Sequence, residues 1–371
     1  MDKLFFIKKR FSPHGGGENY MNTLISRLKN DYEITVFSSE WAPAEGVVFE
    51  KVPVSNMWSF LSAATFNENA CKMVGKARSH CTISFERTTC QDIYRAGEGC
   101  HAEWLEIRSR IEPFLKRLSF TINPLHILLL DLEKRLFSDT GLIIANSKMV
   151  KDNIIKHYAV PSEKISIIYN GVDLSRFSPE NKVRWRGEIR KGLAIPEDSK
   201  VLLFVGSGFK RKGLKTFIDS LSLIRLDNVK VLVIGKGDTG EYKAAAKRYG
   251  VHDKVIFLNP QKEIERFYAA ADLFVLPTLY DPFSNATLEA MAAGIPVITT
   301  GNNGASELIE DGLEGFTMDD PLDSRDLAEK IKLALDDTAI MGERARARAE
   351  RFSIEKAAGE FAGIIKKVAP T

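Results

Sequence analysis

Two carboxylates eight positions apart, Asp281 and Glu289, lie in the stretch LYDPFSNATLEAMAAGIPVITT, residues 279–300. The apolar run before them reads as a buried strand, so Asp281 falls in the loop that follows it. Ser284 and Asn285 can cap a helix, which turns the N–H groups of Asn285 and Ala286 toward an anion. Glu289 then stands about one turn into that helix, and Gly294-Ile295-Pro296 ends the helix and feeds another strand. Such a pair offers two roles. One carboxylate can grip sugar hydroxyls beside a phosphate at the helix N-terminus, while the other accepts hydrogen bonds from a ribose.

A second stretch, GSGFKRKGLKTF (206–217), also follows a buried strand and opens a helix. Gly206 allows close backbone approach to a ligand, and Arg211 and Lys212 put two cations beside the helix start. The spacing GxxxxGK[ST] is absent, which excludes a P-loop. Near the N-terminus, FSPHGGGENY (11–20) joins a first strand to a first helix. There Gly15, Gly16 and Gly17 permit positive φ and bare backbone N–H groups. No strand–GxGxxG–helix unit is present, which disfavours a dehydrogenase. Asp131-Leu132-Glu133, the nearest thing to a D-x-D metal motif, lies in an apolar, helical segment. Arg211, Lys212 and a helix dipole can stabilise a leaving diphosphate instead, so no metal is expected.

Short apolar runs alternate with helical patterns, which indicates parallel α/β layers. In the first half the strands are expected at Leu4–Lys8, Ile34–Ser38, Val48–Val52, Thr82–Phe85, Leu142–Asn146 and Ile165–Tyr169, with helices over 17–29, 60–78 and 147–158. The second half restarts at 201–206 and continues with strands at 230–235, 254–259, 273–278 and 296–300. Its helices are expected near 213–225, 240–249, 262–271 and 285–293. Residues 171–199 lose periodicity and read as the connection between two domains. The expected division is 1–170, 171–352, and a C-terminal helix over 353–371 that packs back on the first domain. Two such open sheets facing a central cleft would bind ligands at the carboxyl ends of their strands.

The 371 residues suffice for two domains, and 44% hydrophobic with 27% charged residues is ordinary for a globular enzyme. The net charge of +3 is unevenly spread: residues 171–230 hold 13 Lys/Arg against 7 Asp/Glu, and residues 231–371 hold 17 against 23. That excess suits an anionic ligand or a solvated basic linker. Cys71, Cys81, Cys90 and Cys100 form no CxxC pair, and buried free thiols are expected rather than a zinc site or a disulfide. The N-terminus lacks the apolar core of a signal peptide, and no run approaches a membrane span, so a cytoplasmic location is expected. Residues 104–137 combine apolar and aromatic positions at helical spacing with Lys116, Arg117, Lys134 and Arg135. They fit either an ordinary core helix pair or an amphipathic segment on an anionic inner-membrane surface.

The 279–300 stretch resembles the paired-acid motif of retaining glycosyltransferase family four, with Asp281 where that family usually has Glu. The resemblance implies a GT-B fold of two Rossmann-like domains, with the donor in the C-terminal half. It further implies that Arg211-Lys212 neutralise the donor diphosphate, that Gly15 and Gly16 approach it, and that Arg176, in IYNGVDLSRFSP, reaches the cleft. FERTTCQDIYRAGEGCHAEWLEIR (85–108) resembles the bacterial lipopolysaccharide-core glucosyltransferases within the family. This implies acceptor-side roles for Glu98 and His101 and transfer of glucose from UDP-glucose to a glycolipid or oligosaccharide. Retention by front-face attack, without a strong protein base or a cofactor, would follow, with Asp281 positioning the sugar ring. No nucleic-acid partner is expected. A GT-B nucleotide-sugar epimerase and a non-catalytic glycosyltransferase-like binding protein stay open as alternatives.

Overall fold

The computed structural model describes residues 2–10, 16–40, 46–77, 79–224 and 228–368, with backbone alone at 16–19. The chain forms two compact units, one of residues 1–170 and 355–371, the other of 171–354.

The first unit carries strands β1 (Asp2–Ile7), β2 (Tyr32–Ser38), β3 (Val47–Lys51), β4 (Cys81–Ser84), β5 (Ile93–Ala96), β6 (Leu142–Ala145) and β7 (Ile165–Ile167). They form one parallel sheet in the order β3-β2-β1-β4-β5-β6-β7. Its middle strands are buried on both faces, as their unbroken apolar runs require; Leu4, Phe6, Ile7 and Ile83 are fully enclosed. Helices α1 (Gly16–Leu28), α2 (Ser59–Lys76), α3 (His101–Ile111), α4 (Phe114–Ile122), α5 (Pro124–Asp139) and α6 (Lys148–Tyr158) connect them.

The second unit holds α7 (Asn181–Gly192), β8 (Lys200–Val205), α8 (Leu214–Leu221), β9 (Val229–Ile234), α9 (Gly240–Arg248), β10 (Val255–Leu258) and α10 (Glu265–Ala270). It continues with β11 (Leu273–Val275), α11 (Asn285–Ala292), β12 (Val297–Thr300), β13 (Gly315–Met318), α12 (Ser324–Asp336) and α13 (Thr338–Ala349). Its sheet, also parallel, runs β10-β9-β8-β11-β12-β13. Helix α14 (Ile354–Val368) then gives Phe361 to the core of the first unit, where it meets Tyr20 and Phe85.

Three expectations need correction. Residues 171–199 are not an aperiodic connection: α7 occupies their middle. It escapes a hydrophobic-period reading because arginines make its inner face. Arg190 is 3% exposed and donates to the carbonyls of Ala270, Glu197 and Ser199 and to the Asp272 carboxylate at 2.8 Å, and Arg186 reaches the same carboxylate at 2.7 Å. These two basic residues after the midpoint therefore serve the fold. Strand β5 falls outside the expected set because Arg95 interrupts its four-residue run, IYRA. The third correction is a disulfide between Cys71 on α2 and Cys90 in the β4–β5 loop, with Cα atoms 5.4 Å apart; Cys81 and Cys100 are the buried free thiols. Sequence spacing does not reveal that α2 lies over this loop.

Candidate functional site

In the second unit the two expected motifs meet. After β8 the chain turns at Gly206, whose N–H donates to the Ile234 carbonyl at 2.9 Å, and runs through Arg211 and Lys212 to Gly213. Gly213 has φ +78°, and a Cβ there would lie 1.7 Å from the Pro277 carbonyl oxygen, so only glycine lets the two loops touch. Arg211 Nη1 donates to the Tyr280 carbonyl at 2.8 Å, while its own carbonyl accepts from Leu279 N–H at 2.8 Å and from Thr278 Oγ1 at 3.0 Å. Lys212 Nζ forms an ion pair with Asp281, both side chains being about nine-tenths buried. The expected sugar-gripping carboxylate and one of the expected phosphate cations thus neutralise each other at the mouth of the loops.

Ser284 caps α11, its Oγ accepting from Thr287 N–H at 3.3 Å. Asn303, not foreseen from sequence, holds this loop in place. Its Oδ1 accepts from Ser284 and Ala305 N–H at 3.0 and 3.1 Å, and its Nδ2 donates to Thr287 and Thr299 hydroxyls. Asn285 and Ala286 open the helix, and the Ala286 carbonyl accepts from Tyr268 at 3.1 Å. Glu289, one turn on, accepts from the same hydroxyl at 3.0 Å. Burial pushes its carboxyl above the usual range, against the lowering effect of the Tyr268 bond and the Arg176 charge. Arg176 itself is engaged with Glu265, through Nε at 3.0 Å and Nη2 at 2.8 Å, and with the Lys262 carbonyl.

In the first unit Glu98 and His101 flank a buried network centred on Glu133. That carboxylate, wholly enclosed on α5, accepts from Arg87 Nε at 2.9 Å, from Tyr158 at 2.7 Å, and from His101 and Ala102 N–H at 2.7 and 3.4 Å. It therefore supplies the negative charge at the N-terminus of α3. Arg87 extends from it to Glu98, which is half exposed. The His101 ring lies 3.1 Å from the His126 ring nitrogen, and burial together with Arg87, His126 and Arg108 pushes its pKa down to about 3. At neutral pH it is an uncharged hydrogen-bonding group. Gly15 lies outside the described residues, and Gly16 opens α1.

Two groups here were not singled out in the sequence. Arg95 on β5 is 3% exposed, stacks on Tyr20 and donates to Asn170 at 2.7 Å, while its Nη1 has no partner among the described residues. Lys9, just past β1, lines a cavity of the same unit. Glu103, Glu106 and His157 place ligand atoms within 4.8 Å of one another, but Lys156 Nζ lies 2.8 Å from both carboxylates. Its ammonium already supplies the cation, and the cluster pins α6 to α3.

The chain is similar to known glycosyltransferases. The model for "Glycosyl transferases group 1" matches residues 186–352, and that for "Glycosyltransferase Family 4" matches 94–176. Lipopolysaccharide glucosyltransferase WaaG of Escherichia coli K12 is 26% identical over 339 residues, 89% of this chain and 88% of WaaG. Uncharacterized glycosyltransferase MJ1607 of Methanocaldococcus jannaschii is 31% identical over 180 residues, 47% of this chain; the match spans 46% of that protein. Among solved structures, WaaG matches with a TM-score of 0.84 at 24% identity, covering 98% of this chain and 99% of WaaG. Anabaena HepE in complex with UDP-glucose matches at 0.74 and 20%, covering 99% and 100%.

Two Rossmann-like parallel-sheet units with these matches make the chain a glycosyltransferase of the GT-B fold. More narrowly, residues 94–176 match the family-four model and the chain is WaaG-like.

Proposed function

We propose that the chain is a retaining hexosyltransferase that moves glucose from UDP-glucose to a lipopolysaccharide-core or related cell-envelope acceptor, at the cytoplasmic face of a membrane and without a metal. The observation that carries the donor reading is the Asp281–Lys212 pair beside the cap of α11, with Glu289 one turn further on. In this reading the diphosphate meets the amides of α11 and the cations Arg211 and Lys212. The ribose donates to Glu289. As the diphosphate draws Lys212, Asp281 is released to accept from the sugar hydroxyls. The acceptor hydroxyl attacks from the side the diphosphate leaves, and the departing oxygen takes its proton. Glu98 orients the acceptor, and neutral His101 supports that wall.

The membrane part rests on α4 and the start of α5. Phe114, Leu115, Leu118, Ile122 and Ile127 are all exposed, Leu115 to 78%, beside Lys116 and Arg117. An apolar face with a basic edge suits an anionic lipid surface. Among the described residues no helix is long and apolar enough to cross a membrane. The test is turnover of UDP-glucose in EDTA with a heptose-containing core oligosaccharide, read by NMR of the product's anomeric centre. An α-linked glucoside supports the reading. Hydrolysis that no glycan stimulates favours an epimerase-like activity, and binding of UDP-glucose with no turnover leaves a non-catalytic binding protein.

A further inference from the structure

A cavity of about 580 Å³ opens in the first unit at the carboxyl ends of β1 and β4. Its walls differ sharply. One is apolar: Leu125, Leu129 and Leu132 fall at positions i, i+4 and i+7 of α5 and so share a face, with Phe66 of α2 beside them. The other is charged, with Lys8, Lys9, Arg10 and Arg87 against Glu86 and Glu98.

The cations are not equivalent. Lys8 pairs with Glu86 at 3.2 Å, and Arg87 is committed to Glu98 and Glu133. Arg10 reaches Glu40 at only 3.7 Å, with both side chains about two-thirds exposed, a pairing worth little. Lys9 has no ion-pair partner among the described residues, yet its backbone is fixed. Its N–H donates to Glu86 at 3.2 Å, and its carbonyl accepts from Ser39 N–H at 3.0 Å and from Ser38 Oγ at 3.1 Å. Burial is the main cause that lowers the Lys9 pKa, with Arg10 adding to it, and Glu86 and Glu98 only partly oppose the shift. Glu86, the carboxylate beside Lys9, is already engaged by Lys8, and burial together with Glu98 pushes its carboxyl up.

We propose that this cavity is a subsite for a sugar that carries an anionic substituent, with Lys9 and Arg10 on the anion, Glu98 on ring hydroxyls and the α5 leucines against an apolar flank. The proposal deepens the acceptor part of the function given above: the acceptor would be an acidic glycan rather than a neutral one. A phosphate and a carboxylate share the chemistry, and the probes separate them. A pre-positioned ammonium gains a partner only when the anion arrives, so the charge selects for acidic sugars and against neutral ones.

The experiment titrates the full chain, without donor, with mannose, mannose 6-phosphate, glucuronic acid and inorganic phosphate, followed by NMR shifts of labelled lysine and leucine. At least one acidic sugar is expected to bind ten times more tightly than mannose and to shift Leu125 and Leu129 signals. Inorganic phosphate should bind more weakly than the sugar phosphate. The Lys9→Gln/Arg10→Gln variant, shown to be folded by its melting curve, should lose the preference. Equal binding of mannose and both acidic sugars overturns the proposal, as does a preference that survives in the variant. A matching loss of UDP affinity in that variant would assign the cations to the donor and overturn it too. Donor-free titration keeps this outcome separate from the transferase reading, which fails only if UDP-glucose neither binds nor turns over.

Discussion

The Tyr268 hydroxyl lies 3.0 Å from the Glu289 carboxylate and 3.1 Å from the Ala286 carbonyl, so one proton is shared between two acceptors. Glu289 is thus held at the start of α11 with lone pairs to spare and a raised pKa. Replacing it with Ala should weaken UDP binding by about 1.5–3 kcal/mol, the worth of a hydrogen bond to a charged group. Because only the carboxylate is a pure acceptor, UDP affinity should fall as pH drops through the raised pKa of Glu289. That fall should begin above the range of an ordinary glutamate. Calorimetry on wild type and Glu289→Gln checks both; a wild-type pH profile that persists in the Gln variant removes Glu289 from the ribose.

Lys212 and Asp281 present a different case, since each is the other's counter-charge in a buried place. Lys212→Met alone should cost on the order of 3–5 kcal/mol, because it strands a buried carboxylate. Adding Asp281→Asn should restore much of that loss. Urea unfolding of the single and double variants measures the coupling. Turnover should be lost in all of them, so stability and activity part company only if the pair is both structural and functional. Additive stability losses would mean that the pair is solvated.

The Cys71–Cys90 bridge closes a loop that contains all of β4 and Arg87. A sequence separation of 19 corresponds to about 3 kcal/mol in the chain-entropy account. Dithiothreitol should therefore lower the melting temperature of wild type and leave Cys71→Ser/Cys90→Ser unaffected. Thiol titration of the unfolded chain should give two thiols before reduction and four after.

How far the sequence carried the reading depends on what each element shows to water. Sheet strands such as Leu4–Lys8 and Ile34–Ser38 were legible within two residues because parallel strands bury both faces and so run apolar without interruption. The Asp281, Ser284 and Glu289 loop was legible because a cap and a helix start have local signatures, and the structure sets Lys212 against it. What failed was polar burial. Arg95 hid β5, the arginines of α7 hid a helix, and Glu133 read as an ordinary helical acid although it accepts from Arg87, Tyr158 and the N–H groups of His101 and Ala102. Partners for such groups come from distant parts of the chain, and no periodicity encodes them.

The membrane segment gives the last prediction, and the structure redirects it. Of the basic residues in this segment, Arg135 is paired with Asp131, and Lys116 with Glu112 at 3.4 Å. The exposed apolar side chains of α4 are the less expected feature, since Leu115 and Ile122 leave 78% and 75% of their surface in solvent. Substituting Leu115 and Ile122 by Asp should release the protein from anionic vesicles without unfolding it, because neither side chain supports the core. Burying each in lipid would contribute about 1.5–3 kcal/mol, against roughly 1 kcal/mol for each basic residue near the surface. Replacing Lys116, Arg117, Lys134 and Arg135 by Gln should therefore weaken binding in a salt-sensitive way, and the Asp substitutions should weaken it at every salt concentration. Co-sedimentation with vesicles of phosphatidylglycerol and phosphatidylethanolamine reads both. Wild-type protein that stays in the supernatant at low salt would assign the α4 face to another partner, and the acceptor would then have to be presented away from the bilayer.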